Sequence, residues 1–343
     1  MKRLPDAEFV VYEPLDCRVG KWFQGASNVS YKRTPLPSEG RLRRFFGGLR
    51  YWNDALSQDK SDIFEGMSLP LIKAPSGRTL LTIHDIRGMR PGSGLLQGAA
   101  YTLFLERSLR SADHVITVSE AMKKEILGLF PGVPISVIYN GLDAGEFDIV
   151  SESHKNAIRQ RYELPNEFIL AVGHFEERKN YARLVEAISR LRDRGRSCSL
   201  VIVGNNSGER QAIEALVASA HLSGCVKFMS GLSDLEVRCL YKLCGLFIFP
   251  SSYEGFGIPI LEAMAAKAPM VLSDIPVFRE ITQDKGVYFN PYDVEAMAAA
   301  IETVLASSTE RARLVQYGAA RVQDFNFSSL AGQLERLYRA QLI

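Results

Sequence analysis

The sequence predicts an α/β protein made of two doubly wound, parallel-sheet domains. Three observations predict it. Short apolar runs recur along the chain and alternate with amphipathic stretches at helical spacing, the order that βαβ units require. The runs are continuous rather than alternating, as in strands covered on both faces. The chain has 343 residues, and roughly 150 residues per domain suggests two domains.

The elements follow in order. Phe9–Tyr12 reads as a strand, then Thr79–Ile83, His114–Val118 and Ile135–Tyr139. After a charged gap come Phe168–Val172, Ser199–Val203, Val226–Met229, Leu246–Pro250 and Pro269–Leu272. Between them, Tyr181–Arg194 sets Leu184, Ile188 and Leu191 on one helical face, and Glu209–Ser219 and Leu235–Lys242 look similar. Ala144–Asn166 is polar, has no strand, and is read as the linker. The expected domains are residues 1–150 and 151–325. Residues 326–343 are expected to form a helix that crosses back to the first domain, with Leu330, Leu334, Leu337 and Leu342 at helical spacing.

Composition narrows the function. The chain is 46% hydrophobic and 23% charged, as an ordinary globular protein is. A net charge of +2 gives no electrostatic footprint for nucleic acid, and none is expected as a partner. Five cysteines at irregular spacing, without a CxxC pair, suit free thiols in a reducing compartment. The opening residues have no signal-peptide pattern, and no apolar run reaches the ~20 residues that span a bilayer. A cytoplasmic protein is expected, at most attached to the inner face of a membrane.

Three segments carry chemistry. Phe249–Met264 (FPSSYEGFGIPILEAM) reads as a strand end, a glycine-bearing turn and a helix. Pro259 suits the first helical turn, and Gly255 and Gly257 let backbone approach a ligand. The free amides and positive end of that helix face an anion. Glu254 before the helix and Glu262 inside it supply acceptors for sugar and ribose hydroxyls. Val172–Asn180 (VGHFEERKN) places Arg178 and Lys179 side by side at a second strand–helix turn, a fork and a compact charge for a diphosphate. His84 ends the strand in LLTIHD, and ligands of open α/β sheets sit beyond such strand ends.

These segments, in this order, resemble the retaining glycosyltransferases of the GT-B fold, family four, with a mannosyltransferase-like style in the Glu-Arg-Lys-Asn segment. Gly173, Arg178–Lys179–Asn180, Gly204, Gly231, Pro250–Glu262 and Ser273–Glu280 carry the resemblance in the second domain. Thr82–Asp85, Arg110–Glu120 and Asn140–Asp143 carry it in the first. The resemblance implies two Rossmann-like domains with an interdomain cleft. It implies that Arg178 and Lys179 bind the donor diphosphate and that Glu254 holds sugar hydroxyls. The Phe256, Gly257 and Ile258 amides would meet sugar or phosphate oxygens, Glu262 the ribose, and His84 the donor sugar and acceptor. It implies a GDP- or UDP-sugar donor, a glycan or lipid-linked acceptor in polysaccharide biosynthesis, and no metal or other cofactor. No Asp-x-Asp motif is present.

Two departures stand out. The family has a first strand and glycine-rich turn ahead of its first helix, whereas MKRLPDAEF resembles the end of that helix, so the start is expected to be truncated. Lys267 replaces the glycine that commonly ends the family's helix, and little effect is expected because helix ends tolerate cations.

Blander readings stand beside these. Glu254 and Glu262 alone would be a cap and a helix-surface residue, Arg178–Lys179 alone a solvated face, and His84 a strand end. Arg41–Leu56 mixes arginines with Phe45, Phe46, Tyr51 and Trp52. It reads either as a membrane-surface patch or as a helix packed by its aromatics. The alternatives to a transferase are a nucleotide-sugar epimerase of similar fold and a catalytically impaired nucleotide-binding protein.

Overall fold

In the computed structural model the apolar runs pair as parallel strands. It describes residues 4–17, 26–37, 41–58, 60–67, 69, 71–89 and 95–343, and the side chains of 41–47, 49 and 95–97 lie outside that description. The opening Met1–Arg3 also lies outside it. The chain divides into two compact units: Met1–Ile138 with Ser328–Ile343, and Tyr139–Phe327.

Among its described residues, the first unit holds two parallel sheets. β1 (Phe9–Glu13) pairs with β2 (Val29–Arg33). β3 (Ile63–Gly66), β4 (Arg78–Ile83), β5 (His114–Thr117) and β6 (Ile135–Val137) form the other, in that order. β2 and β3 escape the sequence reading because each carries charge and is short: VSYKR is largely exposed and IFEG only half-buried. Leu80, Leu81, Val115 and Ile116 make the core beside helices α2 (Leu95–Ser111) and α3 (Glu120–Leu129), and α1 spans Arg41–Ser57. Of the Arg41–Leu56 patch, the described Trp52 packs inward, with ring centroids 5.0 Å from Tyr12 and 5.7 Å from Phe64. The last helix of the chain, Phe327–Gln341, joins this unit through Tyr338, whose hydroxyl donates to Glu65. The carbonyl of Gln341 accepts from Arg78 Nε at 3.2 Å.

The second unit is a six-stranded parallel sheet. β7 (Ile169–Val172), β8 (Leu200–Val203), β9 (Val226–Met229), β10 (Leu246–Phe249), β11 (Met270–Ser273) and β12 (Val287–Phe289) stand in the order β12-β11-β10-β7-β8-β9. Alternate residues feed opposite faces, and both faces are buried. Ile169, Ala171, Leu200, Ile202, Leu246, Ile248 and Val271 share one core with Leu184, Ile188 and Leu191. Those three come from the predicted helix, α5 (Tyr181–Asp193), and α6 (Arg210–Ser219) adds Ile213 and Val217. On β10 the alternate residues Phe247 and Phe249 extend an aromatic ladder from Tyr241 to Phe278, with successive centroids 5.3, 5.9 and 4.8 Å apart. Burial on both faces is why these strands read as continuous apolar runs.

The polar stretch Ala144–Asn166 belongs to this unit. It contains a 3-10 turn and helix α4 (Glu152–Arg161), which buries only Ile158 and so shows no apolar stripe. α4 is held through charge. Glu236, in helix α7 (Asp234–Leu243), closes a capping box with Ser233 and accepts from Arg161 Nη1 at 2.8 Å and the Tyr162 hydroxyl at 2.7 Å. The Ser233 amide first, then the Tyr162 and Ser233 hydroxyls, hold its carboxyl down at about 2. An unfolded glutamate titrates near ~4.3. The stability from this group is therefore complete above that value and is lost as pH falls toward about 2. Glu236→Gln is expected to cost about 1 kcal/mol at pH 7 and to flatten the acid limb of a urea-midpoint profile between pH ~4.5 and ~2.

The helix after β10, α8 (Ile258–Ala265), ends in a Schellman motif. The Lys267 amide donates to Met264 O at 3.1 Å and the Ala268 amide to Ala263 O at 2.9 Å. Lys267 consequently sits at φ 59°. The sequence expectation of little effect considered only its charge, and the backbone corrects it. A left-handed non-glycine residue costs about 1–2 kcal/mol, against the roughly 0.5–1 kcal/mol that glycine loses in unfolded-state entropy. Lys267→Gly should therefore raise stability by about 0.5–1 kcal/mol, read as a thermal midpoint about 1–4 °C higher.

Candidate active site

The sheet of the second unit reverses direction of winding between β7 and β10, which are hydrogen-bonded neighbours with Leu246 opposite Ile169. Two segments far apart in the chain therefore leave the sheet side by side, at the point where such folds bind ligands. They are the turn after β7, Gly173–Asn180, and the turn after β10, Pro250–Gly257.

Hydrogen bonds tie these turns together. The Ser252 amide donates to Arg178 O at 2.8 Å. Asn180 Nδ2 donates to Pro250 O at 3.1 Å and to Pro291 O at 2.6 Å. Asn180 is buried at φ 61°, a conformation that asparagine tolerates. It starts α5 while clamping the ends of two strands, β10 and β12, a positioning task the sequence reading does not give it.

The charged groups meet between the turns. Glu254 lies 2.6 Å from Arg178 Nη1 through Oε2 and 2.7 Å from Lys179 Nζ through Oε1. Ser251 Oγ donates to Oε1 at 2.9 Å. Glu176, which the sequence reading also passed over, takes Arg178 Nε at 2.7 Å. Lys179 is only 7% exposed, and its ammonium stands 4.7 Å from the Phe249 ring centroid. Burial lowers its pKa, against the pull of Glu254. For Arg178 burial acts in the same sense, but Glu254 and Glu176 outweigh it and raise the value.

Two glycines make room. A Cβ on Gly173, at φ 149°, would meet Lys179 Cε at 2.9 Å and Nζ at 3.0 Å. A Cβ on Gly204, after β8, would lie 2.0 Å from Gly173 O. The close approach of these turns thus sets where Lys179 lies.

The remaining predicted residues fall as follows. Gly257, at φ 146°, caps α8 with no side-chain cap bond, Ile258 is the first helical residue, and Pro259 lies in the first turn. The Phe256 side chain is buried, 5.9 Å from the Tyr139 ring and 6.0 Å from Phe325. Glu262 accepts from the Tyr241 hydroxyl at 2.8 Å through Oε2. Burial raises the Glu262 pKa, opposed by that bond. Tyr241 was read only as part of a helix, and nothing in the sequence ties it to a carboxylate 21 residues away. His84 follows β4 in the first unit and is exposed. The structure thus brings Gly173, Arg178, Lys179 and Glu254 together, while Glu262 joins Tyr241.

Comparison with known proteins settles the family. The profile of Glycosyl transferases group 1 matches residues 154–321, and that of Glycosyltransferase Family 4 matches residues 9–146. The O-antigen chain mannosyltransferase RfbU of Salmonella typhimurium is 30% identical over 267 residues, covering 77% of this chain and 70% of that protein. The chain is a glycosyltransferase of this family. Its fold agrees. Sucrose-phosphate synthase from Thermosynechococcus elongatus superposes with a TM-score of 0.76 at 22% identity, over 91% of this chain and 83% of that one. The Anabaena protein Alr3699/HepE, in complex with UDP and glucose, gives 0.73 at 18% identity, over 96% and 91%. The enzyme has two Rossmann-like units of the GT-B class. Among the described residues, no helix is long and apolar enough to cross a membrane.

Proposed function

We propose that this glycosyltransferase moves a hexose, mannose in the first instance, from a GDP- or UDP-sugar to a glycan or lipid-linked acceptor. The transfer retains anomeric configuration and needs no metal ion or other cofactor. One observation carries the reading: Arg178, Lys179 and Glu254 converge at the switch point of the second sheet. Two cations there suit a departing diphosphate, whose charge grows as the glycosidic bond breaks. The uncapped start of α8 adds amides and a positive helix end. Glu254 supplies acceptors for sugar hydroxyls, and Glu262, steadied by Tyr241, for the ribose. His84 is assigned to the donor sugar and acceptor.

The relatives support the sugar and acceptor class, since RfbU is named as an O-antigen chain mannosyltransferase. Family membership does not favour an epimerase. The setting proposed is the cytoplasm, at the inner face of the membrane if α1 engages lipid. Flotation with anionic vesicles at low salt tests that contact, and protein left at the bottom of the gradient removes it. The function is tested by incubating the enzyme with GDP-mannose, UDP-glucose and related donors, with and without glycolipid acceptors. Acceptor-dependent release of the nucleoside diphosphate, with a product of unchanged anomeric configuration by NMR, is expected. Isomerised sugar without acceptor, or no turnover of any donor, would reject it.

A further inference from the structure

The two cations of this site already face two carboxylates: Glu176 takes Arg178 Nε at 2.7 Å, and Glu254 touches both cations. Glu254 spends one oxygen on Arg178 at 2.6 Å and the other on Lys179 at 2.7 Å, and Ser251 steadies the second. Both Lys179 and the Glu254 side chain are largely shielded from water, at 9% and 12% side-chain exposure. A diphosphate approaching Arg178 and Lys179 therefore meets cations that already have a counterion, and it brings negative charge beside the Glu254 carboxylate. Like charges held close in a shielded site repel strongly. Where the phosphates take over the N–H groups that Glu254 now holds, the released carboxylate needs other hydrogen-bond donors.

We propose that Glu254 is an internal counterion that only a sugar-bearing donor displaces at little cost. The inference rests on the reading that Arg178 and Lys179 take the donor diphosphate. In the empty site Glu254 holds the two cations. When the intact donor binds, the sugar hydroxyls replace them as its hydrogen-bond donors and the phosphates take the cations. The product, a nucleoside diphosphate, brings the phosphates but no transferred sugar, so it separates the pair without giving Glu254 a substitute. Glu254 is thus a specificity-determining residue that favours donor over product and speeds product loss.

The sign of one substitution separates this role from a purely attractive one. Glu254→Gln keeps the shape and removes the charge, leaving Lys179 without its counterion. The binding of GDP and of UDP, measured by titration calorimetry, should tighten about tenfold, equal to about 1.4 kcal/mol. Turnover of the nucleotide sugar should fall in the same variant. Lys179→Met, measured in parallel, should weaken nucleoside diphosphate binding. If Lys179→Met weakens binding while Glu254→Gln leaves it unchanged or weaker, the diphosphate site stands and the counterion role is overturned. If the unmodified enzyme binds neither nucleotide, or Lys179→Met has no effect, the site reading fails and takes this inference with it. Should Glu254→Gln fail to fold by circular dichroism, Glu254→Ala carries the same expected sign.

Discussion

Lys179→Ala is expected to lower turnover at least 100-fold, on the scale of about 2.7–4 kcal/mol for a lost donor to developing transition-state charge. The Lys179 side chain is 9% exposed and its ammonium is fixed between Glu254 and Phe249, so water does not replace it. The β-phosphate oxygen that leaves the anomeric carbon carries more charge as the bond breaks than in the bound donor. The loss should therefore fall on kcat as well as on kcat/KM. Arg178→Ala and Glu254→Ala should each lose activity on the same scale. Arg178 is more exposed, at 21%, but it contacts both Glu176 and Glu254. Steady-state rates with a saturating acceptor check this. Full activity in all three variants would remove the site, provided thermal midpoints show each variant folded.

Gly204→Ala should be among the most damaging conservative substitutions outside the charged cluster. An added methyl would stand 2.0 Å from Gly173 O and 2.7 Å from Gly173 C, both backbone atoms in adjoining strand ends. Neither can rotate away, so the turn carrying Lys179 has to move. Overpacking against backbone is expected to cost about 3 kcal/mol, a fall of roughly 6–12 °C in the thermal midpoint. Donor affinity should drop with it. Gly224→Ala is the control, because an added methyl there meets nothing within 4 Å. That variant should stay within about 0.5 kcal/mol of the parent.

Much of the second unit was legible because its strands are buried on both faces. FILAV, SLVIV and LFIFP have no polar alternation, and the helix Tyr181–Arg194 shows its apolar stripe plainly. Strand order was not legible. Nothing in the sequence of Leu246–Pro250 says that it pairs with Ile169 rather than with its predecessor. The meeting of Glu254 with Arg178 and Lys179 follows from that order. The residue types were readable, and their mutual neutralisation was not. α4 was missed because it is polar on almost every side and is held by Glu236 and Ile158 rather than by an apolar face. β12 was missed because three residues are too few to show a period. At Lys267 the sequence shows only a charge, while the left-handed backbone is set by the Schellman hydrogen bonds and needs coordinates.

The central claim is that the turn after β7 and the turn after β10 grip one activated sugar. A crystal structure with a bound nucleotide sugar tests it most directly. The β-phosphate is expected within about 3 Å of Lys179 Nζ and of an amide at the start of α8, the reach of a charge-assisted hydrogen bond, with Glu254 turned onto the sugar. A nucleotide sugar bound elsewhere, with Glu254 still on both cations, would contradict it.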